Sequence, residues 1–233
     1  MSAATANQKP PARDSGTETP NGCSLTRFVM CPPKYKTILA DPPWQQTMIG
    51  RFRDHHRADN LPYPTMTIEE ICALPIGDLA DKGAHLWLWT SNEYLEAGFA
   101  VMRAWGFKYL APITWLKPSG CGAWFVHRTQ TMLFGYRSPL KMTERYKPTI
   151  IEAGLPPEHS AKPLESYQLV EAVSQAPRIE IFARPWTQMF PRRDGWDVWG
   201  NEVPQDVALR THNGRRPHPR RRQSQTIICG KKL

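Results

Sequence analysis

Asp41-Pro42-Pro43-Trp44 is the segment of this 233-residue chain whose residue types most directly suggest chemistry. An exocyclic amine conjugated to a base is a poor nucleophile. It improves when both of its protons are held by acceptors that draw it out of conjugation. The Asp41 carboxylate can accept one N–H and the Pro42 carbonyl the other, and two consecutive prolines fix φ near −65° so that this carbonyl is already aimed. Trp44 offers a flat face on which a base can stack, worth ~1–3 kcal/mol. The same four residues also suit an ordinary strand end, with an Asp turn, a rigid Pro-Pro exit and Trp44 in the core. The tetrapeptide alone leaves both readings open.

The elements that would position this segment follow from pattern. Tyr35 to Ala40 is a short β-rich apolar run that ends at the Asp-Pro-Pro turn, as expected of a buried strand delivering a loop at its carboxyl end. Gln45 to Pro64 is polar and without period, and is expected to be a long functional loop or lid. Thr67 with Glu70 matches a capping box and predicts a short helix before Pro75. His85 to Trp89 reads as a strand covered on both faces. Thr90 and Glu93 repeat the capping spacing ahead of a helix carrying Leu95, Phe99 and Met102, which ends at Gly106. Strands are predicted over Tyr109 to Leu116, Thr131 to Tyr136, Pro148 to Glu152 and Arg178 to Ala183, and a helix from Pro163 through Leu164, Leu169, Val170 and Val173. This alternation implies an α/β fold, a mostly parallel sheet with helices on both faces. The carboxyl ends of such strands line the ligand crevice, which is where Asp41 falls.

Composition narrows the function. The chain carries 30 Lys and Arg against 21 Asp and Glu, but residues 210–233 hold eight bases and no acid. Residues 38–209 hold 17 bases against 19 acids, so a globally cationic nucleic-acid clamp is excluded. Residues 1–33 are Pro-rich, polar and aperiodic, and are expected to be a disordered arm; residues 34–205 form the domain and 206–233 a basic disordered tail. No apolar run approaches the ~18 residues of a membrane span, and a cytoplasmic protein is expected. Five cysteines without a C-x-x-C pair indicate neither zinc nor a disulfide framework, and the histidines show no ligand spacing. Gly120-Cys121-Gly122 reads as a flexible loop rather than a phosphate cradle.

Several segments together carry a resemblance. Asp41-Pro42-Pro43-Trp44 resembles the D-P-P-W amino-methyltransferase motif, Leu61-Pro62-Tyr63-Pro64-Thr65-Met66 an L-P-Y-x-T-M segment, and Ile113-Thr114-Trp115-Leu116-Lys117 an I-x-W-x-K strand. His159-Ser160-Ala161-Lys162-Pro163 is similar to H-S-x-K-P, Ile179-Glu180-Ile181-Phe182-Ala183-Arg184 to I-E-L-F-A-R, and Gly195 through Glu202 to a G-W-x-x-W-G-N-E close. These segments resemble the MT-A70 family of adenine N6-methyltransferases. Gln130 departs from that pattern, standing where members often carry Glu.

The resemblance implies a Rossmann-like methyltransferase domain with permuted motif order, binding S-adenosylmethionine. It implies that Asp41, Pro42, Pro43 and Trp44 form the catalytic loop. Asp41, Lys162, Glu180, Ile181, Arg184, Asn201 and Glu202 would hold the cofactor, with Lys162 on the methionine carboxylate and Glu180 on the ribose hydroxyls. Tyr63, Trp115 and Lys117 would line the substrate side. The implied partner is nucleic acid, DNA before RNA, in a bacterial or phage-infected cell, with no membrane and with a dimer left open. A competing reading is a non-catalytic nucleic-acid-binding subunit that supports an active partner.

Overall fold

The computed structural model describes residues 34–45, 64–122, 124–157, 161–185 and 191–209. Its elements are β1 (Tyr35–Ala40), α1 (Ile68–Cys72), α2 (Ile76–Leu79), β2 (Ala80–Thr90), α3 (Leu95–Ala104), β3 (Lys108–Cys121), β4 (His127–Tyr136), β5 (Ile150–Glu152), α4 (Leu164–Val173), β6 (Arg178–Ile181) and β7 (Trp196–Trp199). The seven strands form a single sheet in the order β5-β3-β4-β2-β1-β6-β7. β1 pairs in parallel with β2 and β6, β6 with β7, and β3 with β5. β4 is antiparallel to both β2 and β3, so it alone runs against the other strands. The mostly parallel sheet expected from the alternation is therefore present.

Period-two alternation along the strands sorts side chains onto two faces. Ile38 and Ala40 of β1, Leu86 and Leu88 of β2, and Ile179 and Ile181 of β6 pack with Ile71, Val101, Met102 and Trp105 from the α1–α3 side. Leu39, Trp87, Trp89, Ile113, Trp115, Met132 and Phe134 form the opposite face and pack with Val170 and Val173 of α4. Helices thus cover both faces. β1 has β2 on one side and β6 on the other, and this reversal of strand order is a topological switch point, where open α/β sheets bind ligands.

Local chemistry explains most boundaries. The Thr67 and Glu70 capping box forms in full, each side chain bonding the other residue's backbone N–H. The second expected box does not form. Thr90 is fully buried as the last residue of β2, opposite Thr131, and its hydroxyl donates to the Thr131 carbonyl, so α3 starts after Tyr94 with no side-chain cap. β7 was not expected as a strand. Its Trp196, Val198 and Trp199 are buried against β6. Val207 and Leu209, which follow the expected boundary at residue 205, are buried in the main core. The arm over residues 1–33 and the segment from residue 210 lie outside the described residues, as does most of the expected 45–64 loop.

Candidate active site

The site is a consequence of strand register. Leu39 pairs with Glu180 across β1 and β6, and Glu180 with Val198 across β6 and β7, so all three face α4. Asp41 follows Leu39 by two residues and keeps that side as β1 ends. Trp89, next along from Trp87 on the same face, stands one strand away. Leu39, Asp41, Trp89, Lys162, Tyr167 and Glu180 line a cavity of about 460 Å³ at the carboxyl ends of β1, β2 and β6. That volume lies within the range of ligand pockets.

Two hydrogen-bonded pairs organise it. The Lys162 ammonium donates to Asp41 Oδ2, with the side chains only 8% and 21% exposed. The same ammonium lies 5.5 Å from the centroid of the Trp89 ring, whose π face favours a cation. Deeper in, Tyr167 Oη donates to Glu180 Oε1 at 2.8 Å. Burial raises the Glu180 carboxyl above its ordinary value and the charge of Asp41 adds to this, while the Tyr167 hydrogen bond opposes it. Burial and the neighbouring Glu180 raise the Tyr167 phenol as well. Arg193 stacks over the Tyr167 ring at 4.4 Å, and Trp196 meets that ring edge-on at 6.0 Å.

The Asp41 to Trp44 turn is closely tied down. The Pro42 carbonyl accepts from the Trp44 N–H at 2.8 Å, and the Pro43 carbonyl from the Met66 N–H at 2.9 Å. A carbonyl oxygen has two lone pairs, so Pro42 keeps one for an incoming amine. Trp44 itself is 8% exposed, stacks on Tyr94 at 5.3 Å and donates through Nε1 to the Trp89 carbonyl at 3.1 Å. One face of its indole is thus taken by Tyr94.

The other residues singled out from the sequence divide clearly. Arg184 lines the cavity. Ile181 does not, because it faces the α1–α3 side and is fully buried there; its carbonyl instead accepts from the Asp41 N–H at 3.4 Å. Asn201 and Glu202 are exposed beyond β7 and are not among the cavity-lining residues. Trp115 is buried edge-on against Trp89 and donates to the Ala153 carbonyl, so it supports the site from behind. Lys117 lies over Trp115 at 5.7 Å, and burial, with the charge of Lys162, holds its amine below the usual lysine value. Gln130 pairs opposite Trp115 in the sheet. Tyr63 lies outside the described residues.

Sequence reasoning missed Tyr167, Phe182 and Arg193. Tyr167 sits three residues after Leu164 and three before Val170, so periodicity marks it only as part of a packing stripe. Phe182 adopts φ 66°, uncommon for a non-glycine residue, and so turns the chain at the end of β6 to line the cavity.

The fold is Rossmann-like, with carboxylates at the ends of adjacent parallel strands and a lysine entering from the loop before α4. The family model of MT-A70 matches residues 35–202, and the chain belongs to that family. It is 27% identical over 179 residues to the Arabidopsis thaliana N(6)-adenosine-methyltransferase MT-A70-like protein, covering 72% of this chain and 24% of that one. To the human N(6)-adenosine-methyltransferase catalytic subunit METTL3 it is 29% identical over 181 residues, covering 73% and 28%. To the type II methyltransferase M.MunI of a Mycoplasma species it is 24% identical over 196 residues, covering 73% and 78%. The chain thus spans about a quarter of the length of the plant and human relatives. Among the described residues no cluster could hold a metal ion, and no helix is long and apolar enough to cross a membrane.

Proposed function

We propose that the protein transfers the methyl group of S-adenosylmethionine to the N6 amine of adenine in nucleic acid. The observation that carries this reading is the placement of Asp41, Lys162 and Glu180 around one cavity at the switch point. The donor set suits the cofactor. Glu180 keeps one oxygen beyond its Tyr167 bond for the ribose hydroxyls, and Lys162 offers an ammonium for the methionine carboxylate. Bound S-adenosylmethionine supplies a methyl group already activated by its sulfonium.

The work left to the chain is positioning and electrostatics. Asp41 and the second lone pair of the Pro42 carbonyl accept hydrogen bonds from the two amine N–H groups and turn the nitrogen lone pair toward the methyl carbon. With S-adenosylmethionine bound, the N–CH3 bond would form as the C–S bond breaks to leave the thioether, and the surplus amine proton would pass to solvent after transfer. Lys162 holds Asp41 in place before substrate arrives, and the γ-turn closed by the Trp44 N–H holds the Pro42 carbonyl. Trp44 serves as the buried anchor of this turn.

DNA is taken as the first substrate to test, by analogy with the type II methyltransferase of Mycoplasma, to which the chain is 24% identical over 196 residues. The test is transfer from labelled S-adenosylmethionine to single-stranded and duplex DNA and RNA of one adenine-containing sequence. The reading expects N6-methyladenine in at least one substrate, most strongly in DNA. Transfer to none of them would sink the activity, and transfer to RNA alone would reverse the substrate order.

A further inference from the structure

The β3–β4 hairpin extends well past the active-site edge of the sheet. Ala40 pairs with Leu88, and Thr90, two residues on, pairs with Thr131, which pairs in turn with Thr114. The Pro42 level of the catalytic turn therefore matches Thr114 of β3. β3 continues seven residues beyond it to Cys121, which at about 3.3 Å per residue carries the hairpin roughly 20 Å past the site. Cys121 pairs with His127 and closes a turn bearing Trp124, Phe125 and Val126, which are 90%, 77% and 65% exposed.

The turn is tightly built. A Cβ on Gly120 would lie 2.2 Å from the His127 carbonyl oxygen, and one on Gly122 1.8 Å from that of Phe125. Gly120 and Gly122 thus stand where the backbone approaches closely, and Gly120 and Cys121 belong to β3 rather than to a loop. Asn92, just after β2, bonds His127 at 3.0 Å, and Arg128 donates to the Lys117 carbonyl at 3.1 Å, fixing the base of the hairpin. From Thr114 to Thr131 the hairpin carries Lys117 and Arg128 and no Asp or Glu.

An acid-free hairpin with two bare aromatic rings near its end, reaching past the proposed adenine site, matches the needs of a strand that must give up a base. Extruding a base leaves its neighbours unstacked, and inserted apolar side chains take up the vacated stacking. We propose that Trp124 and Phe125 form a wedge that stacks on the bases flanking the target adenine, with Lys117 and Arg128 holding the adjoining phosphates. This rests on the adenine-methyltransferase reading.

The test measures binding of fluorescein-labelled single-stranded and duplex oligonucleotides to the full chain by anisotropy across a salt series. S-adenosylmethionine binding by calorimetry and methyl transfer are followed in parallel. Trp124→Ala/Phe125→Ala is expected to raise Kd at least 10-fold with the salt slope unchanged, because stacking releases no counterions. Trp124→Phe/Phe125→Tyr restores affinity, and cofactor affinity stays at the wild-type value throughout. Lys117→Ala/Arg128→Ala instead flattens the salt slope. An unchanged Kd and KM in the double alanine variant, with wild-type transfer intact, overturns the wedge alone. A wild-type dimer that the double alanine variant dissociates, at undiminished oligonucleotide affinity, overturns it in favour of a contact between copies. Failure of the wild-type chain to bind or methylate any oligonucleotide overturns the function itself.

Discussion

Glu180→Gln separates the cost of a functional carboxylate from its use, because its effects on stability and on binding carry opposite signs. In the folded protein burial holds the Glu180 carboxyl above its ordinary value of 4.5. The folded state therefore keeps its proton more tightly than the unfolded chain, and stability is lost as pH rises above that value. A neutral amide of the same shape removes the loss. At pH 7 the variant is expected to melt at least as high as wild type, a gain of 1 kcal/mol raising Tm by roughly 2–4 °C. Binding moves the other way. Glu180 Oε1 already accepts from Tyr167, so in the variant the single amide oxygen takes that bond and an NH2 meets the ribose hydroxyls. Losing one charge-assisted hydrogen bond costs about 1.5–3 kcal/mol, or roughly 10- to 100-fold in Kd for S-adenosylmethionine. Calorimetry of cofactor binding and thermal denaturation of the same preparation give both numbers. Wild-type cofactor affinity in a stably folded variant would refute the assignment of Glu180 to the cofactor.

Three further outcomes follow from the same structure. His85 is 1% exposed and bonds Ser174 at 2.7 Å, and burial lowers its imidazole from 6.5 to about 4. As pH falls from 6.5 to 4 the unfolded chain takes up a proton that the folded chain refuses, so denaturant titrations should show a loss of up to about 3 kcal/mol that His85→Gln lacks. Gly200→Ala would place a Cβ 2.2 Å from the Ala183 carbonyl oxygen and 3.0 Å from its nitrogen. Backbone cannot yield as a side chain does, so a loss of at least ~1–3 kcal/mol in stability is expected, with weaker cofactor binding because the neighbouring Phe182 and Arg184 line the cavity. Deleting residues 210–233 removes eight bases; nucleic-acid affinity at low salt should fall and its salt slope flatten, while S-adenosylmethionine affinity holds.

Much of this was legible because burial enforces pattern. Apolar runs in β1 and β2 had to alternate between two covered faces, and the Asp-Pro-Pro turn had to leave at the carboxyl end. Glu180 stood out as a lone carboxylate in an apolar strand, and its partner proved to be Tyr167. What stayed hidden depends on contacts distant in sequence. Thr90 has good capping spacing, yet pairing with Thr131 draws it into the sheet. Trp44 looks like a stacking surface in the sequence, which does not show that Tyr94 occupies one of its faces and that its Nε1 bonds the Trp89 carbonyl. Asn201 and Glu202 share a motif with Trp199, but the motif does not show that they lie exposed beyond the last strand while Trp199 is buried. The glycines at 120 and 122 look like slack in a linear reading, and only the facing His127 and Phe125 carbonyls reveal a tight turn.

In the proposed reaction Asp41 holds the adenine amine while the cofactor binds beside it. The most direct measurement is single-turnover methyl transfer by Asp41→Asn with the product identified by mass spectrometry, alongside S-adenosylmethionine binding to the same protein. The variant is expected to fold and still bind cofactor yet to transfer at least ~100-fold more slowly, as for loss of one preorganised polar contact to a reacting group. N6-methyladenine formed by Asp41→Asn at the wild-type rate would contradict it.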